Sequence, residues 1–243
     1  MQISTLSQIA DKAMVTRCVL RALVAFVCCF GFAAGPASAA TYVRFDTNFG
    51  AFDVELTEIP EMESTVANFL SYVDAGLYNS TIIHRSTTDD PFDIQIIQGG
   101  GFVLQDSTIS PVSTFAPIPL QAIYSNTRGT IAMARTSDPN SATSGWFFNV
   151  TNNTALNGGY AVFGSVIGAT GLSVIDAIAA VEVYDASQLG GAFSELPLTA
   201  PALQVGNLVI INSVTRVPEP SALLMLGLAA AGIVTRRVRK SKI

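Results

Sequence analysis

The chain has 243 residues, 49% of them apolar, with 18 acidic against 13 basic side chains and a formal net charge of −5. Between residues 41 and 216 the imbalance is sharper: five arginines and no lysine face sixteen Asp and Glu, a net −11 that repels phosphate backbones and excludes nucleic acid as a partner. All three cysteines (Cys18, Cys28, Cys29) lie in the first thirty residues, so the stretch 41–216 holds neither a disulfide nor a cysteine-ligated metal and must be stabilised by its core.

The first forty residues carry Lys12, Arg17 and Arg21, then an apolar run from Ala22 to Ala34, then Gly35-Pro36-Ala37-Ser38-Ala39. This is the order of a secretory signal, with cleavage expected after Ala39 or Ala40. The alternative, an N-terminal anchor, is disfavoured because the run is shorter than the roughly 20 residues a span needs.

From Tyr42 the pattern changes. Tyr42–Phe45 and Ala51–Leu56 alternate in polarity around Thr47-Asn48-Phe49-Gly50, which predicts a β-hairpin. Val66, Phe69, Leu70 and Val73 then recur at helical spacing behind Ser64-Thr65, and Gly76 ends the pattern where a left-handed cap is wanted. Strand-length runs follow at 82–85, 94–97, 130–134, 146–150 and 161–166. A second helix is expected over 171–180, with Leu172, Ile175, Ile178 and Ala179 on one face. A Gly- and Ser-containing stretch over 185–202 is expected to be a surface loop, and a last strand covers 208–211. Many strands with two helices predict a mainly β domain, its antiparallel sheet closed into a barrel and covered at its ends.

After Arg216 come Val217-Pro218-Glu219-Pro220, an apolar segment over 221–234, and Arg236, Arg237, Arg239, Lys240 and Lys242. The apolar segment is marginal as a membrane span by length, and the basic cluster fits a cytoplasmic flank. The Pro-Glu-Pro triplet, short apolar segment and Arg-rich end resemble the PEP-CTERM sorting signal of Gram-negative bacteria. That resemblance implies an exosortase-type sorting enzyme as partner, contact with the membrane through this segment before processing, and delivery to the cell surface or extracellular matrix. A simple C-terminal anchor facing the periplasm is the alternative. Three regions are thus expected: a signal over 1–40, one domain over 41–216, and a sorting segment with a short transmembrane stretch over 217–243.

Within the domain, residues 69–78 (FLSYVDAGLY), Ile83-His84-Arg85, Ile97-Gln98-Gly99-Gly100, 129–136 (GTIAMART), 138–144 (DPNSATS) with the aromatic strand after it, and Tyr160–Gly164 resemble, in order, the successive blocks of the cyclophilin family. The resemblance runs from about Tyr42 to Val214. It implies an eight-stranded antiparallel closed β-barrel capped by two α-helices, and a peptidyl-prolyl cis/trans isomerase that acts on proline-containing polypeptides with no cofactor and no metal. It also implies the site. Arg85 is the catalytic arginine and Gln98 the polar residue near it. Phe147 is the floor of a proline pocket with Ile96 and Leu156 beside it, Ala134 and Arg135 line the strip for the substrate backbone, and Tyr160 takes the place of a histidine found in many eukaryotic members.

Each assignment has a plainer alternative. Phe147, Ile96 and Leu156 are apolar residues whose commoner fate is core packing, and Arg85 could serve a surface ion pair. His84 is the only histidine and, with no cysteine after residue 29, builds no typical zinc site, so it is read as structural. No Gly-x-Ser-x-Gly elbow, phosphate loop or His-Glu-x-x-His is present, which removes the usual hydrolase readings. Asn79-Ser80-Thr81, Asn149-Val150-Thr151 and Asn152-Asn153-Thr154 match glycosylation acceptors by chance. The chain also departs from the family. Gly145 stands where a glutamine usually bonds the substrate backbone, and Ala155 falls near a usual pocket-edge aromatic. The loop over 86–93 is long and acidic. These departures keep a second function open, a non-catalytic module that binds proline-containing segments at the cell surface.

Overall fold

The computed structural model describes residues 40–87 and 93–218; the signal and sorting segments, and most of the acidic loop, lie outside them. A hairpin of β1 (Tyr42–Thr47) and β2 (Gly50–Leu56) leads into helix α1 (Glu63–Asp74). Strands β3 (Thr81–Ile82), β4 (Arg85–Ser86) and β5 (Ile96–Gly99) follow, then a hairpin of β6 (Phe102–Gln105) and β7 (Thr108–Pro111). After β8 (Thr130–Met133), β9 (Trp146–Asn149) and β10 (Val162–Val166) comes helix α2 (Gly168–Ala179). Short β11 (Val183–Tyr184) and β12 (Leu196–Pro197) pair with each other, and β13 (Ile210–Val217) ends the domain.

Alternation sorts the strands as the sequence predicts. In β1, Val43, Phe45 and Thr47 are buried while Arg44 and Asp46 face solvent. The inward residues build one aromatic-rich core. Phe45 stacks on Phe52 at 5.2 Å and meets Trp146 and Phe148 edge-on at 5.3 and 5.4 Å, geometries that aromatic quadrupoles favour. α1 lays Val66, Phe69, Leu70, Tyr72 and Val73 onto this core, and α2 contributes Ile175 and Ile178. Gly76 stands just past α1 at φ +67, the left-handed conformation its position requires.

The start of α1 is satisfied from outside the helix. No side chain caps it locally; instead Gln121 Oε1 accepts from both the Thr65 N–H (3.0 Å) and the Thr65 hydroxyl (2.7 Å). Gln121→Ala leaves these donors without that acceptor and is expected to cost about 1 kcal/mol, read as a lowered midpoint in urea denaturation.

The sheet is mainly β as expected but differs in its closure. Among the described residues it has eleven strands, all paired antiparallel, in the order β4-β5-β9-β8-β10-β2-β1-β13-β3-β6-β7. It is therefore an open order with two ends and not a ring of eight paired strands. The reason is local. Residues 81–86 change partners in mid-segment: Ile83 N–H donates to Val209 O on the β13 side, and His84 N–H donates to Gln98 O on the β5 side, both at 3.0 Å. One six-residue segment thus becomes two strands near opposite ends of the order, and the sheet curls strongly.

Three further features go beyond the pattern read in the sequence. The β6–β7 hairpin turns on Asp106 and Ser107, both at positive φ (47 and 65), a primed turn built without the Asn-Gly or Asp-Gly dipeptide that would announce it. The stretch 185–202 is not a plain surface loop: Ala186, Phe193, Leu196 and Leu198 are buried with Ile82 and Leu208 in a second apolar cluster. The last strand runs on to Val217, opposite Tyr42, beyond the expected 208–211. No helix among the described residues is long and apolar enough to cross a membrane; the segment proposed to do so, 221–234, lies outside them.

Candidate active site

Directly opposed residues on neighbouring antiparallel strands point to the same face of a sheet. The register opposes Arg85 to Gln98, Gln98 to Phe147, Phe147 to Ala132 and Ala132 to Val162, a row crossing β4, β5, β9, β8 and β10. Its neighbours in sequence, Ile97, Phe148, Trp146 and Ile131, belong to the main core on the opposite face. Ile96, Ala132, Phe147 and Val162 instead form a small separate cluster with Ile94, Ala134, Leu156 and Tyr160 packed against it. β9 is buried along its whole length for this reason, with one face toward the main core and Phe147 toward the other cluster.

That outer face holds a cavity of about 260 Å³ lined by Arg85, Thr87, Ile94, Ile96, Gln98, Ala134, Arg135, Phe147, Leu156 and Tyr160. The structure therefore brings together all eight residues singled out in the sequence. Thr87 and Ile94 are additions. Thr87 N–H donates to Ile96 O at 3.0 Å, its hydroxyl donates to Ile94 O at 2.8 Å, and Ile96 N–H donates to that hydroxyl at 2.9 Å. The threonine thus pins both isoleucines to the wall. Phe147, only 2% exposed, packs edge-on against Tyr160 with centroids 5.4 Å apart. Arg135 lies over the Tyr160 ring at 4.7 Å and donates from Nε to Gly159 O at 2.7 Å, so the cation holds the far wall in place.

Leu156 reaches the cavity from a turn held by a buried ladder of amides. Asn153 Nδ2 donates to Asn149 Oδ1 (2.8 Å) and to Gln95 O (2.9 Å), and Asn149 Nδ2 donates to Thr130 Oγ1 (2.9 Å) and Asn126 Oδ1 (3.2 Å). One of the acceptor-like asparagine motifs is thereby explained as structure: its Asn149 is buried and bonded, as is Asn153, while the acceptor of the other motif in this turn, Asn152, is exposed. Ala155, in the same turn, is exposed.

Arg85 is half-buried, and its Nε donates to Glu195 Oε2 at 2.6 Å. The ion pair weighed as its plainer role is thus present in the same residue that lines the cavity. Nothing in the sequence pointed to Glu195, which is 110 residues away and reaches Arg85 only because the 185–202 stretch folds back onto β4. Gly145 lies at the groove's edge: its carbonyl accepts from Ala134 N–H at 2.9 Å, and a Cβ placed on it would meet Ala134 Cβ at 3.3 Å. His84 points away from the cavity into the second apolar cluster, with Phe102 and Phe193 edge-on at 4.9 and 6.4 Å.

The model of the cyclophilin type peptidyl-prolyl cis-trans isomerase/CLD family matches residues 42–191, and the PEP-CTERM protein-sorting motif matches residues 216–240. A peptidyl-prolyl cis-trans isomerase of Acinetobacter baylyi is 44% identical over 152 residues, covering 60% of this chain and 75% of that relative. Peptidyl-prolyl cis-trans isomerase B of Escherichia coli is 40% identical over 150 residues, covering 57% and 84%. A cyclophilin type peptidyl-prolyl cis-trans isomerase of Cryptosporidium parvum, known from its crystal structure, superimposes with a TM-score of 0.54 at 22% identity over 74% of this chain and 99% of its own, a likeness of fold. The chain belongs to the cyclophilin family and is a peptidyl-prolyl cis-trans isomerase.

Proposed function

We propose that the chain accelerates rotation about X-Pro bonds in exported proteins, with Arg85 as the catalytic residue and the 260 Å³ cavity as the proline site. The barrier, roughly 18–20 kcal/mol, is the loss of amide resonance on twisting. As resonance is lost the proline nitrogen becomes pyramidal and basic, so a fixed donor aimed at it binds the transition state better than either planar isomer. A guanidinium stays charged at any physiological pH and offers donors in a rigid plane. The observation that carries this reading is the cross-strand row: it puts the one cavity-lining cation on the 85–98 strand pair beside an apolar floor of Phe147, Ile96 and Leu156, the two surfaces a twisting prolyl amide needs.

In this reading Gln98 bonds the substrate near Arg85, while Ala134, Arg135 and Tyr160 border the strip along which its backbone runs. The floor is backed by the main core, because Phe147 sits on β9 between Trp146 and Phe148, which face the opposite way into it. Residues 1–40 direct export, 41–216 form the isomerase domain, and the motif over 216–240 directs an exosortase-type enzyme to place that domain at the cell surface. The clients are then proline-containing polypeptides that fold outside the cytoplasm. The test is the exchange rate of a proline-containing peptide measured by NMR with purified protein and with Arg85→Ala; equal rates would remove Arg85 from the mechanism.

Gly145 sets the affinity. A glutamine there would extend from the edge of the groove beside Ala134, at the cost of a few tenths of an ångström of adjustment. One added neutral hydrogen bond contributes about 0.5–1.5 kcal/mol. Gly145→Gln is therefore expected to lower KM up to about tenfold with kcat little changed, as read from substrate titrations of the exchange rate.

A further inference from the structure

Glu195 lies just past residue 191, where the match to the family model ends, and its carboxylate meets the cavity's arginine. Three observations make it a fixture. Its own carbonyl accepts from Ser86 N–H at 2.9 Å, which locks its backbone to the residue next to Arg85. Leu196, which follows it, is fully buried, and Phe193, which precedes it by two, is 4% exposed; both belong to the apolar cluster with Ile82 and Leu208. β12 packs on β4, so the whole segment is folded against the strand that carries Arg85.

The atom it holds matters. Nε is the guanidinium nitrogen nearest the side-chain stem, and its single N–H is committed to Glu195 at 2.6 Å. Fixing Nε on one side and Cδ on the other leaves the guanidinium plane little freedom, while the four N–H bonds of Nη1 and Nη2 stay available to a ligand. A long, half-exposed arginine otherwise loses considerable rotamer freedom when it engages a substrate. At this exposure the pair adds little to stability, so its consequence is orientation.

We infer that Glu195 is a positioning residue: it holds Arg85 by Nε so that the Nη edge is aimed at the twisting prolyl amide before substrate arrives. This rests on the reading of Arg85 as the catalytic residue. A positioning role acts on the transition state, where the geometry of the donor matters most, and leaves binding of the planar substrate nearly unchanged.

The experiment measures kcat and KM by NMR exchange for a proline-containing peptide with purified protein and with Glu195→Ala, Glu195→Gln, Arg85→Ala and the double variant Arg85→Ala/Glu195→Ala. Expected are a fall of about tenfold in kcat for Glu195→Ala with KM within about twofold, and recovery of most of that loss in Glu195→Gln, whose amide oxygen can accept the same bond. In the Arg85→Ala background, removal of Glu195 should change nothing further. If Arg85→Ala is inactive while Glu195→Ala turns over as fast as the wild type or faster, positioning is overturned and the catalytic reading of Arg85 survives. If the loss from Glu195→Ala persists at full size without Arg85, the carboxylate acts elsewhere and positioning is again overturned. If Arg85→Ala retains the wild-type rate, the catalytic reading itself falls. Glu195→Gln also guards against misfolding, since it keeps the size and polarity of the side chain: a folded Glu195→Gln without recovery overturns the inference.

Discussion

Arg85→Ala is expected to lower kcat/KM for a proline-containing peptide by on the order of 100-fold, the scale on which removal of a single donor to a transition state is felt. The fold should survive it. Arg85 and Glu195 expose 38% and 37% of their side chains, so the pair contributes at most about 1 kcal/mol and Glu195 regains water once the arginine is gone. The two readings of Arg85, salt bridge and catalyst, therefore separate by measurement: loss of rate with unchanged urea midpoint belongs to the second. Arg85→Lys sharpens the test. It keeps the charge but not the planar fork, and a lysine engaged by Glu195 has no second donor edge to turn toward the cavity. Its rate should fall closer to that of the alanine variant than to the wild type.

The legible part of this protein is the part written in short-range pattern. Alternation in Tyr42–Phe45 and Ala51–Leu56, and the spacing of Val66, Phe69, Leu70 and Val73, are local consequences of strand and helix periods, and the hairpin and α1 follow from them. Eight of the ten cavity residues are legible as well, but through the resemblance of sequence blocks; nothing in the periodicity of Trp146–Asn149 distinguishes an outward Phe147 from a core phenylalanine. Only the register of β5, β9 and β8 decides which face it takes. What escaped the sequence depends on long-range pairing. The change of partner between Ile83 and His84 depends on Val209 and Gln98, and the Arg85 ion pair on a segment 110 residues away. The burial of Phe193, Leu196 and Leu198 could have been suspected from their apolar character, but the glycines and serines around them outweighed it.

His84 makes the stability of this domain depend on pH in a window where few other groups titrate. It is 4% exposed, and burial pushes its pKa down from about 6.5 to about 4, with the charge of Arg85 adding to the shift and the Ile82 backbone partly opposing it. Above pH 6.5 the ring is neutral in both folded and unfolded chains and stability is insensitive to it. As pH falls from 6.5 toward 4, the unfolded chain takes up a proton that the folded one refuses, so the stability present at neutral pH is progressively lost. At about 1.4 kcal/mol per pH unit the loss amounts to about 3 kcal/mol, after which both states are protonated and the effect levels off. Asp53 and Asp74, held below the usual carboxylate range by hydrogen bonds from Arg44 and Arg216, lose their contribution only as pH falls further, through their own lowered pKa values. Urea denaturation at intervals between pH 7 and pH 4 should therefore show, for the wild type, an unfolding free energy that is level near pH 7 and falls steadily below about pH 6.5. His84→Leu changes the absolute stability but removes the titrating ring, so its slope over the same interval should be nearly flat. An equal slope in both would mean that His84 takes up its proton in the folded state, which requires water to reach between Phe102 and Phe193 and the apolar cluster around them to open near pH 6.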